Sequence, residues 1–275
     1  MGRYSANTFY NLLSDGTLVL LMLFSTPLMI HLLGSVQFGL FRVAMVSVVG
    51  FISLLNIGLS VTVRRFFGDA LHKHGAGRAN HVLGVSFFLY GILSIFCFVF
   101  IFFTIFWLPS FVKAPHEYRF SFQIMLIAIA LFMSSQFLLN PLFSVLINYS
   151  RFDLYQLSQM SFRIILYLLG LFFVYVFSAN LLCFAASAFI GTIFSVYLTL
   201  KFSKVVFPEI KYSIIRNDKK LIKDLLSFSG FGLMMALGPL VLYQSQDVLI
   251  SCFMGPSQVA RYAVAFILFT QIRTV

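Results

Sequence analysis

Charge is what this chain has least of. Asp and Glu together number 8 against 19 Lys and Arg, and charged residues make up 10% of the sequence, where a soluble domain carries about 25%. That excludes a water-soluble globular fold. Cysteine is scarce too. Cys97, Cys183 and Cys252 stand singly in or beside apolar runs without paired spacing, so neither a disulfide framework nor a zinc site is supported, and they read as small packing residues. No glycine-rich phosphate loop, dinucleotide fingerprint, zincin motif or hydrolase elbow occurs. Nothing therefore points to an enzyme, to a cofactor or to ATP-driven pumping, and an ion gradient is the expected energy source. His72 and His74 form a His-x-His without further ligands and read as loop residues. Apolar and polar residues do not alternate, which excludes a β-barrel.

What is present is hydrophobic residue, at 60% of the chain with 36 Phe and a mean hydropathy of +0.98. Seven runs reach the ~20 residues that a spanning helix needs: 9–33, 40–63, 82–108, 120–147, 154–177, 181–202 and 225–253, with an eighth beginning near Val259. The expected fold is all-α and polytopic. Arg3 precedes the first run, but Asp15 interrupts it and it exceeds a signal-peptide core, so this helix is read as retained. The net charge of +11 is gathered into loops, chiefly 64–81 and 201–224. With those loops placed inside, thirteen loop Lys or Arg fall on the N-terminal side against Lys113, Arg119 and Arg261 opposite. The N-terminus is predicted to be cytoplasmic.

One turn comes back. Leu33-Gly-Ser-Val-Gln-Phe-Gly-Leu-Phe-Arg-Val-Ala44 is echoed by Met254-Gly-Pro-Ser-Gln-Val-Ala-Arg-Tyr-Ala-Val-Ala265, matching Gly34 with Gly255, Gln37 with Gln258 and Val43 with Val264. An even number of spans lies between the copies, so the repeat is parallel. This divides the chain into a six-helix lobe (1–202), a linker (203–224) and the first two helices of a second lobe (225–275). In the linker, Ile214, Ile215, Leu221, Ile222 and Leu225 oppose Lys219, Lys220 and Lys223, a pattern that predicts an amphipathic segment on the inner leaflet, broken at Pro208 and capped at Asp218.

Polar residues inside spans are expensive and mark cavities when they share a face. Four stripes occur: Asn7, Asn11 and Asp15; Asn56, Ser60 and Arg64; Gln136, Asn140, Ser144 and Asn148; and Gln156, Gln159, Arg163 and Tyr167. Arg163 and Asp15 lie at comparable depth, roughly 13 and 9 Å from the N-terminal side at about 1.5 Å per residue. Two readings are open: an anion-binding Arg163 in a wet cavity with Asp15 as counter-ion or ion-coupling site, or a structural pair joining two helices. Asp247, flanked by Tyr243 and Gln244, is a second ion-coupling candidate placed near the outer interface, where a charge costs little. Pro27, Pro141 and Pro239 are candidate kinks.

The segments "LLGSVQFGLFRVA", "NIGLSVTVRRFFGDA" and "LLSFSGFGLMMALGPLVLYQSQDVLISCFMGPSQVARYAVA" resemble Wzx-type polysaccharide (O-antigen) flippases of the multidrug/oligosaccharidyl-lipid/polysaccharide exporter superfamily, along the whole chain. The resemblance implies two six-helix lobes around a cation-lined cavity that passes undecaprenyl-diphosphate-linked oligosaccharides outward by alternating access, as part of O-antigen or capsule assembly. Arg64 or Arg65 matches the family's basic residue after the second span, and Arg163 is the implied cavity cation. Since only two helices of a second lobe are present, the chain is read as C-terminally truncated. The binding set is then Arg163, Gln156, Gln159, Gln136, Asn140, Asn56 and Arg64, with Asp15 and Asp247 for ion coupling. The expected partners are the lipid-linked oligosaccharide, membrane lipids and a glycan polymerase, with no nucleic acid. A cation-coupled drug exporter of the same fold, which would want a more acidic cavity, and a non-transporting partner of a glycan assembly complex are the alternatives.

Overall fold

A computed structural model describes residues 2–177, 180–243 and 245–274, and among them the secondary structure is helical throughout. The helices are α1 (Gly2–Arg42), α2 (Val49–Phe111), α3 (His116–Asn148), α4 (Phe152–Ile164), α5 (Gly170–Val176), α6 (Leu181–Val206), α7 (Lys219–Tyr243), α8 (Gln246–Met254) and α9 (Pro256–Thr274), with π-helical turns at Val43–Val48 and Ile165–Leu169. Among the described residues five continuous stretches are long and apolar enough to cross a bilayer: Tyr10–Val46, Gly58–Phe111, His116–Asn148, Phe152–Val176 and Leu181–Val206. The chain is an all-α polytopic membrane protein.

Two of those stretches each hold a chain reversal. Gly34 (φ 80°, ψ 164°) interrupts α1 and Gly75 (φ 77°, ψ −174°) interrupts α2, both in a region that only glycine enters at low cost. Side-chain contacts fix the reversals. At one end of the bundle Ser14 meets Gln156, Phe67 meets Phe207, and Asn80 bonds the Glu209 carbonyl. At the other end Gln37 accepts from the Leu181 amide and Phe41 meets Phe184. The path from Ser14 through Gln37 to Phe67 therefore crosses twice, as the first two apolar runs require, and the runs at 82–108, 120–147, 154–177 and 181–202 complete six crossings. Gly255 shares the conformation of Gly34, with φ 90° and ψ 163°. The two glycines that head the repeated turn thus do the same backbone work.

The seventh run departs from the expectation: it is not one helix, because α7 ends at Tyr243 and α8 begins at Gln246. The linker departs as well. Residues 207–218 form no helix; they run as a strap along the start of the third crossing, pinned by Asn80 to the Glu209 carbonyl and the Lys211 amide (both 2.9 Å) and by the Ile215 amide to the Gly84 carbonyl. Ile215 packs over Gly84, where a side chain would collide, while Ile214 faces outward. Asp218 caps α7 as predicted, its Oδ1 accepting from the Leu221 amide at 3.0 Å. Helices run through Pro27 and Pro141 without a break.

Close packing comes from small residues. On α6 the buried positions Ser187, Ala188, Gly191, Thr192, Ser195, Thr199 and Ser203 form a stripe that lets neighbouring helices approach, as membrane interfaces favour. Gly191 makes room for Phe162, which stacks on Phe132 with ring centroids 3.5 Å apart. The large side chains of the third crossing point the other way, with Phe96, Phe100, Phe103, Phe106 and Trp107 exposed as a lipid-facing surface.

Candidate functional site

The first and fifth crossings build an open polar cleft of about 170 Å³, lined by Ser14, Leu18, Tyr155, Gln156, Gln159, Met160 and Arg163. Helical spacing puts Gln156, Gln159 and Arg163 on one face of α4. Gln156 is held across the gap: its Nε2 donates to Asn11 Oδ1 at 2.7 Å and its Oε1 accepts from Ser14 Oγ at 3.1 Å. Arg163 is exposed, and no ion pair involves it among the described residues. Beside it runs an apolar crevice lined by Thr17, Leu18, Leu21, Met160 and Ile164. A cation, amides and an apolar wall thus meet at one place. At the start of α4, Arg151 holds Asp153 bidentately (3.0 and 2.9 Å), which raises the Arg151 pKa above its ordinary value. The side chains of Asn7 and Asp15, and Tyr243 and Gln244, lie outside the described residues.

The other stripes do not open onto this cleft. In α3, Gln136 accepts from Gln159 Nε2 (3.3 Å) and faces Ser195 Oγ (3.4 Å), so it backs the cleft from behind Gln159. Asn140 is 6% exposed, and the Tyr90 hydroxyl lies 3.0 Å from both Asn140 Oδ1 and Asn56 Oδ1. One hydroxyl proton serves one acceptor, so one of the two amides must turn its NH₂ toward the oxygen. Asn148 Nδ2 donates to the Arg64 carbonyl (3.0 Å), over Gly68, where a Cβ would strike its side-chain oxygen. Asn56, Asn140, Ser144 and Asn148 are therefore a structural seam between helices and not the cavity wall that their spacing suggested. In hydrocarbon, polar groups on facing helices satisfy one another before they attract water. Arg64 belongs to this seam, and its Nε is buried without an acceptor.

Asp247 is corrected most. At its end of the bundle it is not open to water but 2% exposed, and its Oδ2 stands 3.2 Å from Nη2 of Arg42, itself 8% exposed. Sequence reasoning did not single out Arg42; the signal available was an arginine inside an apolar segment just after a turn. Around this pair, Ser251 donates to the Val112 carbonyl (2.9 Å), Lys113 to the Phe253 carbonyl (3.1 Å), and Gly39 lies so close to the Pro256 carbonyl that no side chain fits. Tyr90 was missed as well, the one tyrosine in the apolar run 82–108.

At the opposite end, a cavity of about 420 Å³ between the second turn and the start of α7 carries Asp69, Asp218 and Asp224 against Lys73, His74, Arg78 and Lys220. Its charges nearly balance, and Asp69 already pairs with Lys73 at 3.6 Å. Among the described residues no cluster of His, Cys, Asp or Glu is arranged to hold a metal ion.

No curated protein and no solved structure matches the chain. Residues 5–274, nearly all of it, match the polysaccharide biosynthesis protein family. A helical membrane bundle with an amide-lined, cation-bearing cleft that reads along its whole length as one family is a member of it: the chain belongs to the polysaccharide biosynthesis proteins.

Proposed function

We propose that this chain belongs to a Wzx-type flippase that carries a polyisoprenyl-diphosphate-linked oligosaccharide from the inner to the outer leaflet for O-antigen or capsule synthesis. It moves its substrate by alternating access, driven by an ion gradient, and transforms no bond. The protein resides in the bacterial inner membrane with its N-terminus cytoplasmic, and a glycan polymerase is the natural partner.

The observation that carries this reading is the cleft beside Arg163. A lipid diphosphate needs a cation for its phosphates, amides for the first sugars and a place for its hydrocarbon. Arg163, then Gln156 and Gln159 offer the first two side by side, and the apolar side chains of Leu18, Leu21 and Ile164 border them. Gln136 supports Gln159 from behind, while Asn56, Asn140 and Arg64 support the walls. Asp15 remains the proposed counter-ion on the neighbouring helix. Protonation of Asp247 would dissolve its pair with Arg42, which links an ion to the end of the bundle where α8 and α9 join the first six crossings.

Arg163→Ala should abolish flipping, read as lipid-linked glycan accumulating on the cytoplasmic side, while the protein level stays normal. Retained surface glycan in that variant overturns the role of Arg163. Gene deletion that leaves surface glycan intact but brings sensitivity to cationic dyes establishes the drug exporter instead. Single cysteines at Lys73 and Lys220, treated with an impermeant thiol reagent on intact cells, should stay unlabelled; labelling would invert the proposed topology.

A further inference from the structure

A second cavity of about 420 Å³ opens on the membrane-facing side of α6, lined by Tyr197, Leu200, Lys201, Lys204 and Tyr212. Its first four residues sit at i, i+3, i+4 and i+7 and so share one helix face; Tyr212 arrives from the strap and packs against Phe87 with ring centroids 6.3 Å apart. Lys201 Nζ lies 5.8 Å above the Tyr197 ring. Unlike the charge-balanced cavity beside α7, this one has no acidic residue in its lining, and neither lysine has an ion-pair partner among the described residues.

The same face continues away from the lysines as Ile190, Ile193 and Phe194, with Ile193 71% and Tyr197 55% exposed. From Ile190 to Lys204 is fourteen residues, roughly 21 Å at about 1.5 Å per residue. The surface therefore grades from aliphatic through aromatic to doubly cationic over the length of one lipid leaflet. Lysines at that depth attract anionic headgroups, at about 1 kcal/mol each, and aromatic rings favour the interface between chains and headgroups.

We infer that this face binds one anionic phospholipid, its phosphate between Lys201 and Lys204 and its acyl chains along Ile190, Ile193 and Phe194. The bound lipid bridges α6 to the strap through Tyr212 and so fastens the connection between the six-helix bundle and α7. This site lies apart from the cleft at Arg163 and does not depend on the substrate assigned there.

The chain purified in mild detergent and titrated with phosphatidylglycerol should retain one adduct in native mass spectrometry, bound more tightly than phosphatidylcholine. Lys201→Gln/Lys204→Gln should weaken that adduct roughly thirtyfold. Both lysines are exposed, so the variant should melt where the parent does. Lys219→Gln/Lys223→Gln removes the same charge elsewhere and should leave the adduct in place. Equal loss in both doubles, or no loss in the first, overturns the site. Competition by glycerol phosphate as effective as that by the lipid overturns the acyl-chain half and makes the ligand a soluble phosphate.

Discussion

Arg42 and Arg163 are the same residue in two opposite circumstances. Arg163 is exposed beside two glutamines with no ion pair among the described residues, whereas Arg42 is buried at one end of the bundle against Asp247. A buried charge with a partner holds elements together, and removing one member leaves the other stranded at a cost of several kcal/mol. A charge left exposed by the protein contributes little to folding. It is available for a ligand. Stability measurements and transport measurements should therefore separate the two sites.

The sharpest break of that contrast is at the buried pair. Asp247→Ala should destabilise the protein by about 3–5 kcal/mol, read as a lower melting temperature in detergent, and Arg42→Leu/Asp247→Leu should recover most of the loss. A single variant that melts like the parent would mean that water reaches Arg42. Next come the hinges: Gly34→Ala and Gly255→Ala should each cost about 1–3 kcal/mol, because both hold a backbone conformation that a side chain opposes. Gly77→Ala, which has open space around it, serves as the neutral comparison, and equal losses at all three would refute the conformational argument. A smaller effect belongs to the seam. Tyr90→Phe removes the hydroxyl between Asn56 and Asn140 and should cost about 0.6 kcal/mol, the average for a hydrogen bond between membrane helices; a loss many times larger would show that the two asparagines hold these helices together. Smallest of all on stability is Arg163→Gln, expected within about 0.5 kcal/mol of the parent. A large destabilisation there would place Arg163 in a structural pair, the alternative that its spacing from Asp15 leaves open.

The spans were readable because hydrocarbon imposes one rule on every crossing, about 20 apolar residues with the backbone bonded internally. The turn at Gly34 was readable because it recurs at Gly255, and the cap at Asp218 because a short acid before a helix has one common use. Partners were not readable. Spacing of four put Asn140 and Asn56 on helix faces, but a face can meet water or another helix, and only the packing of Tyr90 between them decides it. Arg42 and Asp247 are separated in sequence by most of the six-helix bundle, so nothing local announced their pair. Hydropathy alone ran straight through 225–253, although Gln-Ser-Gln-Asp at 244–247 was the polar interruption where α7 gives way to α8. The strap at 207–218 was assigned a helical pattern that its contacts with Asn80 and Gly84 replace with an extended path.

The second crossing touches later elements through bare backbone at two places: Gly39 against Pro256, and Gly58 against the Ser229 carbonyl, each too close for a side chain. Interlocked side chains resist the passage of one helix along another, since ridges must climb out of grooves. A glycine contact has no ridge. Such a contact lets the two elements meet backbone to backbone, while the Phe66–Phe228 ring pair toward one end and the buried Arg42–Asp247 pair toward the other fix their register.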